Sequence, residues 1–146
     1  MANASHLSTD TIHRAGVPTP ARQAFHVLRV GYALLPIAAG TDKFFDYLTT
    51  WDKYLAPQVT RVLPISAHSF MSAVGVIEIA AGLFVAIRPR IGAYVVALWL
   101  AGIILNLLMH GGYGDIALRD FGLMIGALAL GRMSDEYDRT GATSYR

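Results

Sequence analysis

Apolar residues fall in four long blocks along this chain, separated by short polar stretches. The hydrocarbon core of a bilayer is about 30 Å thick, and a helix rising about 1.5 Å per residue crosses it in roughly 20 mostly apolar residues. The blocks Ala24 to Phe44, Phe70 to Ile87, Ile91 to Met109 and Ile116 to Met133 all meet that length. The third is free of charge. The first, second and fourth reach spanning length only by carrying Arg29, Glu78 and the Arg119/Asp120 pair. The pattern predicts an all-α integral membrane four-helix bundle over residues 24–133. A polar, flexible N-terminal arm is expected over residues 1–23, and a polar cytoplasmic tail over residues 134–146.

Between the first two blocks, the stretch FFDYLTTWDKYLAP repeats Phe44, Tyr47, Leu48, Trp51, Tyr54 and Leu55 at helical spacing, while Asp46, Asp52 and Lys53 face elsewhere. That spacing predicts a short helix lying in the membrane interface, where aromatic rings favour the headgroup layer, with Pro57 ending it.

At 100° per residue, the costly polar residues of each block share a face with its small residues. Arg29, Tyr32, Pro36, Gly40 and Lys43 align in the first block, and Gly75, Glu78 and Gly82 in the second. Trp99, Gly102, Asn106 and His110 align in the third; Arg119, Gly122 and Gly126 in the fourth, with GLMIG as a small-residue step. A charge at mid-bilayer costs at least about 2.5 to 3.5 kcal/mol, so these faces are expected to turn inward. Arg29, near the opposite end, is expected to reach the headgroups.

Composition narrows the chemistry. The chain of 146 residues is 54% hydrophobic and 15% charged, with a mean hydropathy of +0.44, which is a membrane profile. A net charge of +2 with scattered basic residues gives nucleic acid nothing to bind. With no cysteine, thiol redox chemistry and iron–sulfur clusters are excluded, so a redox role would have to use a quinone, a haem or a partner subunit. Eight basic residues lie on the side of both termini and the RPR turn, against four on the other. This count predicts that both termini lie in the cytoplasm. The run from Arg29 to Gly40 resembles a signal sequence but lacks a clean cleavage site.

The polar residues that gather toward the outer half form the candidate site. Glu78 is the candidate proton carrier; Lys43, His110, Arg119, Asp120, Asn106, Tyr32 and Trp99 are candidate ligand-binding residues. Arg119 and Asp120 are expected to partner Glu78 and Lys43. His68 and His110 are read as solvated or hydrogen-bonded imidazoles rather than haem or metal ligands, because their spacing matches no ligand motif. Neither a nucleophile–base motif nor a phosphate loop is present in the sequence.

In order and spacing, LRVGYALLPIAAGTDKFF, GVIEIAAGLFV, the basic turn and DIALRDFGLMIGALAL resemble the DoxX family of small four-helix bacterial membrane proteins. The resemblance implies a membrane subunit linked to redox chemistry, with a quinone as the associated cofactor and a protein partner in a membrane complex. Two further readings stand beside it: a non-catalytic structural or assembly subunit, and a proton or small-solute carrier. The lack of discontinuous helices disfavours the carrier.

Overall fold

Thr19 opens the first helix. Its hydroxyl accepts a hydrogen bond from the Arg22 amide at 3.4 Å, and Pro20 occupies the first turn, where a missing N–H removes no helical bond. The computed structural model describes residues 19–143, with side chains up to 137. Helix α1 spans Pro20–Asp42, and a 3-10 turn follows at Trp51–Tyr54. Then come α2 (Pro57–Val62), α3 (Ala67–Ile87), α4 (Pro89–His110) and α5 (Gly114–Thr143). Ser66 caps α3 by accepting from the Ser69 amide at 3.1 Å. A one-residue corner at Arg88 joins α3 to α4, with Pro89 in the first turn of α4. Gly111, at φ 71°, ends α4 in a backbone region that glycine enters without strain.

All regular structure among the described residues is helical. The four long helices form two intimate pairs, α1 with α3 and α4 with α5, joined through α3 against α4 and α1 against α5. Small residues dominate the contacts. Gly40 and Gly75 face each other so closely that a Cβ on Gly40 would lie 2.5 Å from the Gly75 carbonyl oxygen. Gly82 meets the Ala33 carbonyl in the same way. Val85, Ala93, Ala127 and Leu130 are fully enclosed. Close backbone approach of this kind drives helix association where no water is available to expel.

Outside this core the helices are bare hydrocarbon: Leu34, Val76, Leu98, Leu105 and Leu118 are all more than half exposed. Three helices, α1, α3 and α4, are long and apolar enough to cross a membrane. Such faces suit a lipid bilayer, where exposed apolar surface carries no hydration cost. Helix α5 is not one of these three, because Arg119, Asp120 and Arg132 interrupt its apolar run.

Several expectations are corrected here. The stretch after α1 is a bent loop and one 3-10 turn rather than a single interfacial helix, and Pro57 begins α2 instead of ending a helix. Asp42 and Asp46 cause the break by drawing amides onto their carboxylates, a local competition that Asp wins readily over helix. Helix α5 continues to Thr143 through residues expected to be a tail. Ser134 is buried there, donating to the Leu130 carbonyl at 2.8 Å; Asp135 pairs with Arg90, and Tyr137 packs on Phe25. The polar arm expected over residues 1–23 lies outside the described residues except for its last five, in which Thr19 caps and residues 20–23 begin α1. Residues 144–146 also lie outside them. Arg29 donates to the Ala86 carbonyl at 2.6 Å near the end of α3. The GLMIG step does not join two backbones: Gly122 faces open space, and Gly126 receives the Tyr32 ring.

Candidate functional site: a buried charge cluster

The Gly40–Gly75 contact sets the position of the site. Lys43 lies three residues beyond Gly40 and Glu78 three beyond Gly75, so each charged residue stands about one turn past its own helix's glycine. Because α1 and α3 are that close, each charge packs against the glycine opposite: a Cβ on Gly40 would lie 3.0 Å from Glu78 Cβ, and one on Gly75 3.2 Å from Lys43 Cβ. The side chains meet over the crossing. Lys43 Nζ donates to Glu78 Oε2 at 2.6 Å, with side chains only 4% and 9% exposed.

Asp120 of α5 is also buried and close enough to both partners to feel their charge. Trp99 of α4 turns its indole N–H toward Glu78 but falls short of a hydrogen bond, which leaves a buried donor beside the carboxylate. All four long helices therefore contribute to one cluster, with Lys43 from the residue capping α1. Glu78 pairs with the buried ammonium directly, while Asp120 lies near it and meets Arg119 on its outer side at 3.8 Å.

The loop after α1 closes the cluster at its end of the bundle. The Trp51 ring lies over Lys43, with Nζ 3.7 Å from the ring centre. Trp51 Nε1 donates to Asp42 Oδ2 at 2.8 Å, and Asp42 also accepts the Tyr47 and Leu48 amides at 3.1 Å. Asn106 ties down the far end of the loop, donating to the Tyr54 carbonyl at 2.7 Å and accepting the Ala56 amide at 3.0 Å. In the loop itself, a hydrogen bond with Thr49 holds the Tyr54 phenol below its ordinary pKa, and neighbouring Lys53 acts in the same direction.

Of the residues expected at the site, the structure brings together Lys43, Glu78, Asp120 and Trp99. It does not bring in the others. The Arg119 side chain is 69% exposed and approaches only Asp120, at 3.8 Å, rather than Glu78. Arg119 and Asp120 are adjacent in one helix, about 100° apart, so both cannot face inward. His110 packs edge-on against Tyr113, and His68 is exposed beside Asp52 at 4.0 Å. Tyr32 donates to the Leu123 carbonyl at 2.5 Å, and Asn106 serves the loop backbone. Asp42 and Trp51 are not among the expected site residues. The sequence signal for them is the run of acids and aromatics directly after Lys43, which helical spacing alone reads as a separate helix.

Asn106 makes the first prediction. Asn106→Ala leaves the Ala56 amide and Tyr54 carbonyl without partners, at a cost of about 1–3 kcal/mol each if they stay buried. Hydrogen exchange should show the Ala56 amide losing its protection while the α3 core amides keep theirs.

The residues present do not fit a quinone ring inside the bundle. The Lys43 ammonium is held between Glu78 and Trp51, while His110 and Arg119 point away. A shallow apolar depression lined by Gln58, Val59, Val62, Leu63 and Met109 shares no residue with the cluster. Among the described residues no group of histidines and acids has the geometry of a metal site. No known family model, curated protein or solved structure matches this chain.

Proposed function

We propose that the chain is an integral membrane protein whose four long helices all cross the bilayer, and whose Lys43–Glu78–Asp120 cluster takes up and releases a proton as part of a redox-linked membrane complex. The observation that carries this reading is the burial of Glu78 and Asp120 around the Lys43 ammonium, with Arg119 meeting Asp120 only from the exposed side at 3.8 Å. A bilayer interior strongly penalises an unpaired charge, so a buried carboxylate whose cation moves away takes up a proton in its place. The likeness to DoxX sequences supports the redox link and an inner-membrane location, and the distribution of basic residues supports both termini in the cytoplasm. Helix α5 spans in this reading because Asp120 faces the cluster and Arg119 lies near the helix start, where it extends to the headgroups.

Membrane vesicles carrying the wild-type chain or Glu78→Gln test the proposal. Electron transfer through the complex should fall by about ten-fold or more in the variant at equal protein level, the scale of a lost proton-transfer group. An unchanged rate, with the protein still folded, rules the role out.

A second reading, a structural or assembly subunit, is favoured by the closed packing around the pair and by the broad exposed apolar faces of α4 and α5. Extraction in mild detergent separates the two. A chain that runs alone and stays stable without partners removes the support for assembly.

A further inference from the structure

We infer that the loop of residues 44–56 is a hinged cover over the Lys43–Glu78–Asp120 cluster, with Asp42 as its latch and Asn106 as its fixed end. The inference deepens the proton-exchange reading and rests on it for its purpose, since a buried site that trades protons needs a controlled path to water. Its geometry stands independently of that purpose.

The two ends of the loop are held in different ways. At the far end, Leu55 and Ala56 are buried and Asn106 bonds the backbone on both sides of Leu55. At the near end, Phe45, Tyr47 and Leu48 are largely exposed, so little apolar burial holds residues 44–50 in place. Residues 44–46 bond back to the end of α1, Asp46 accepts the Trp51 amide, and beyond them the Asp42 carboxylate gathers the Tyr47 amide, the Leu48 amide and the Trp51 indole. Segments with few buried contacts and few anchoring bonds are the ones that open locally while the fold persists.

Trp51 transmits the latch to the cluster. The same indole that bonds Asp42 lies over the Lys43 ammonium, so release from Asp42 and uncovering of Lys43 are one motion. The charged groups facing Lys43 are Glu78 from α3 and Asp120 from α5, with Arg119 outside Asp120, and Asp42 reaches Lys43 only through the Trp51 ring. Water reaching Lys43 would meet Glu78 directly. Asp42 is thus a positioning residue, acting through Trp51.

The chain contains two lysines, Lys43 under the cover and Lys53 on its outer surface. Reaction of the protein in lipid nanodiscs with a water-soluble amine-acylating ester, read at each lysine by peptide mass spectrometry, therefore carries its own control. Wild-type Lys43 should react slowly against Lys53. Asp42→Ala and Trp51→Ala should each speed Lys43 by about ten-fold or more while Lys53 is unchanged, as expected when a low-stability segment is freed. Trp51→Phe, which keeps a ring over Lys43 but cannot bond Asp42, should fall between. Repeating the series with Glu78→Gln separates coverage by the loop from pairing with the carboxylate. Hydrogen exchange at the Tyr47 and Leu48 amides should quicken in Asp42→Ala, with Ala56 unaffected.

Equal reactivity of both lysines in the wild type would overturn the inference. So would an unchanged Lys43 in both alanine variants on the Glu78→Gln background, whatever the amides do. Failure of the proton-exchange role appears elsewhere, as undiminished electron transfer in Glu78→Gln, and would leave the cover standing as a structural device.

Discussion

Lys43→Met is expected to destabilise the folded chain by about 3–5 kcal/mol, the range for a buried ion pair stripped of one member. The change removes the one buried ammonium and leaves Glu78 and Asp120 facing each other in an apolar interior. Glu78→Gln alone should also destabilise, but less, because Asp120 remains near Lys43. The double variant is the informative one. Lys43→Met with Glu78→Gln has no uncompensated charge from the pair and should recover most of the loss, since replacing a whole buried pair is often neutral. Thermal unfolding in mild detergent measures all four proteins. A single-variant loss below about 1 kcal/mol, the level of an exposed pair, would show that the pair is hydrated instead of buried.

The glycine crossing should give the second large effect. A methyl group added at Gly40 would sit 2.5 Å from the Gly75 carbonyl oxygen, against backbone that cannot rotate out of the way. Gly40→Ala should therefore push α1 and α3 apart and cost about 1–3 kcal/mol, the usual range for overpacking. Gly40→Leu should exceed that range. The same separation lengthens the Lys43–Glu78 contact, so activity should fall along with stability. Gly102→Ala and Gly122→Ala are the controls: nothing lies within 4 Å of either added carbon. They should be neutral or stabilising by up to about 1 kcal/mol through helix propensity. Melting temperatures of the four variants decide between a packed crossing and a glycine stripe without function.

Much of this arrangement is legible in the sequence. The shared face of Gly40 and Lys43, and that of Gly75, Glu78 and Gly82, follow from angular spacing alone, because a spanning helix has one favourable way to place a charge: inward. The meeting of Lys43 with Glu78 follows from those faces once α1 and α3 pair. Angular spacing misleads near helix ends. Proximity in sequence groups Arg119 with the inward charges, yet its neighbour Asp120 takes the inward position and Arg119 turns outward. His110 and Asn106, one turn apart at the end of α4, are drawn to the local loop instead of the cluster.

The loop is the least legible part. Its aromatic spacing matches a helix, but the carboxylates of Asp42 and Asp46 compete for the same amides and bend the chain at residues 44–50. Periodicity does not register such competition. What it conceals is the contact of Trp51 with Lys43, which joins the loop to the interior.

Protonation of Glu78 or Asp120 during turnover is the central claim, and infrared difference spectroscopy in bilayers tests it most directly. Spectra of the proposed redox-linked complex, recorded between its oxidised and reduced states, should contain a carboxyl C=O band that is lost in Glu78→Gln or Asp120→Asn. A difference spectrum in which no carboxyl band depends on either residue would contradict the account.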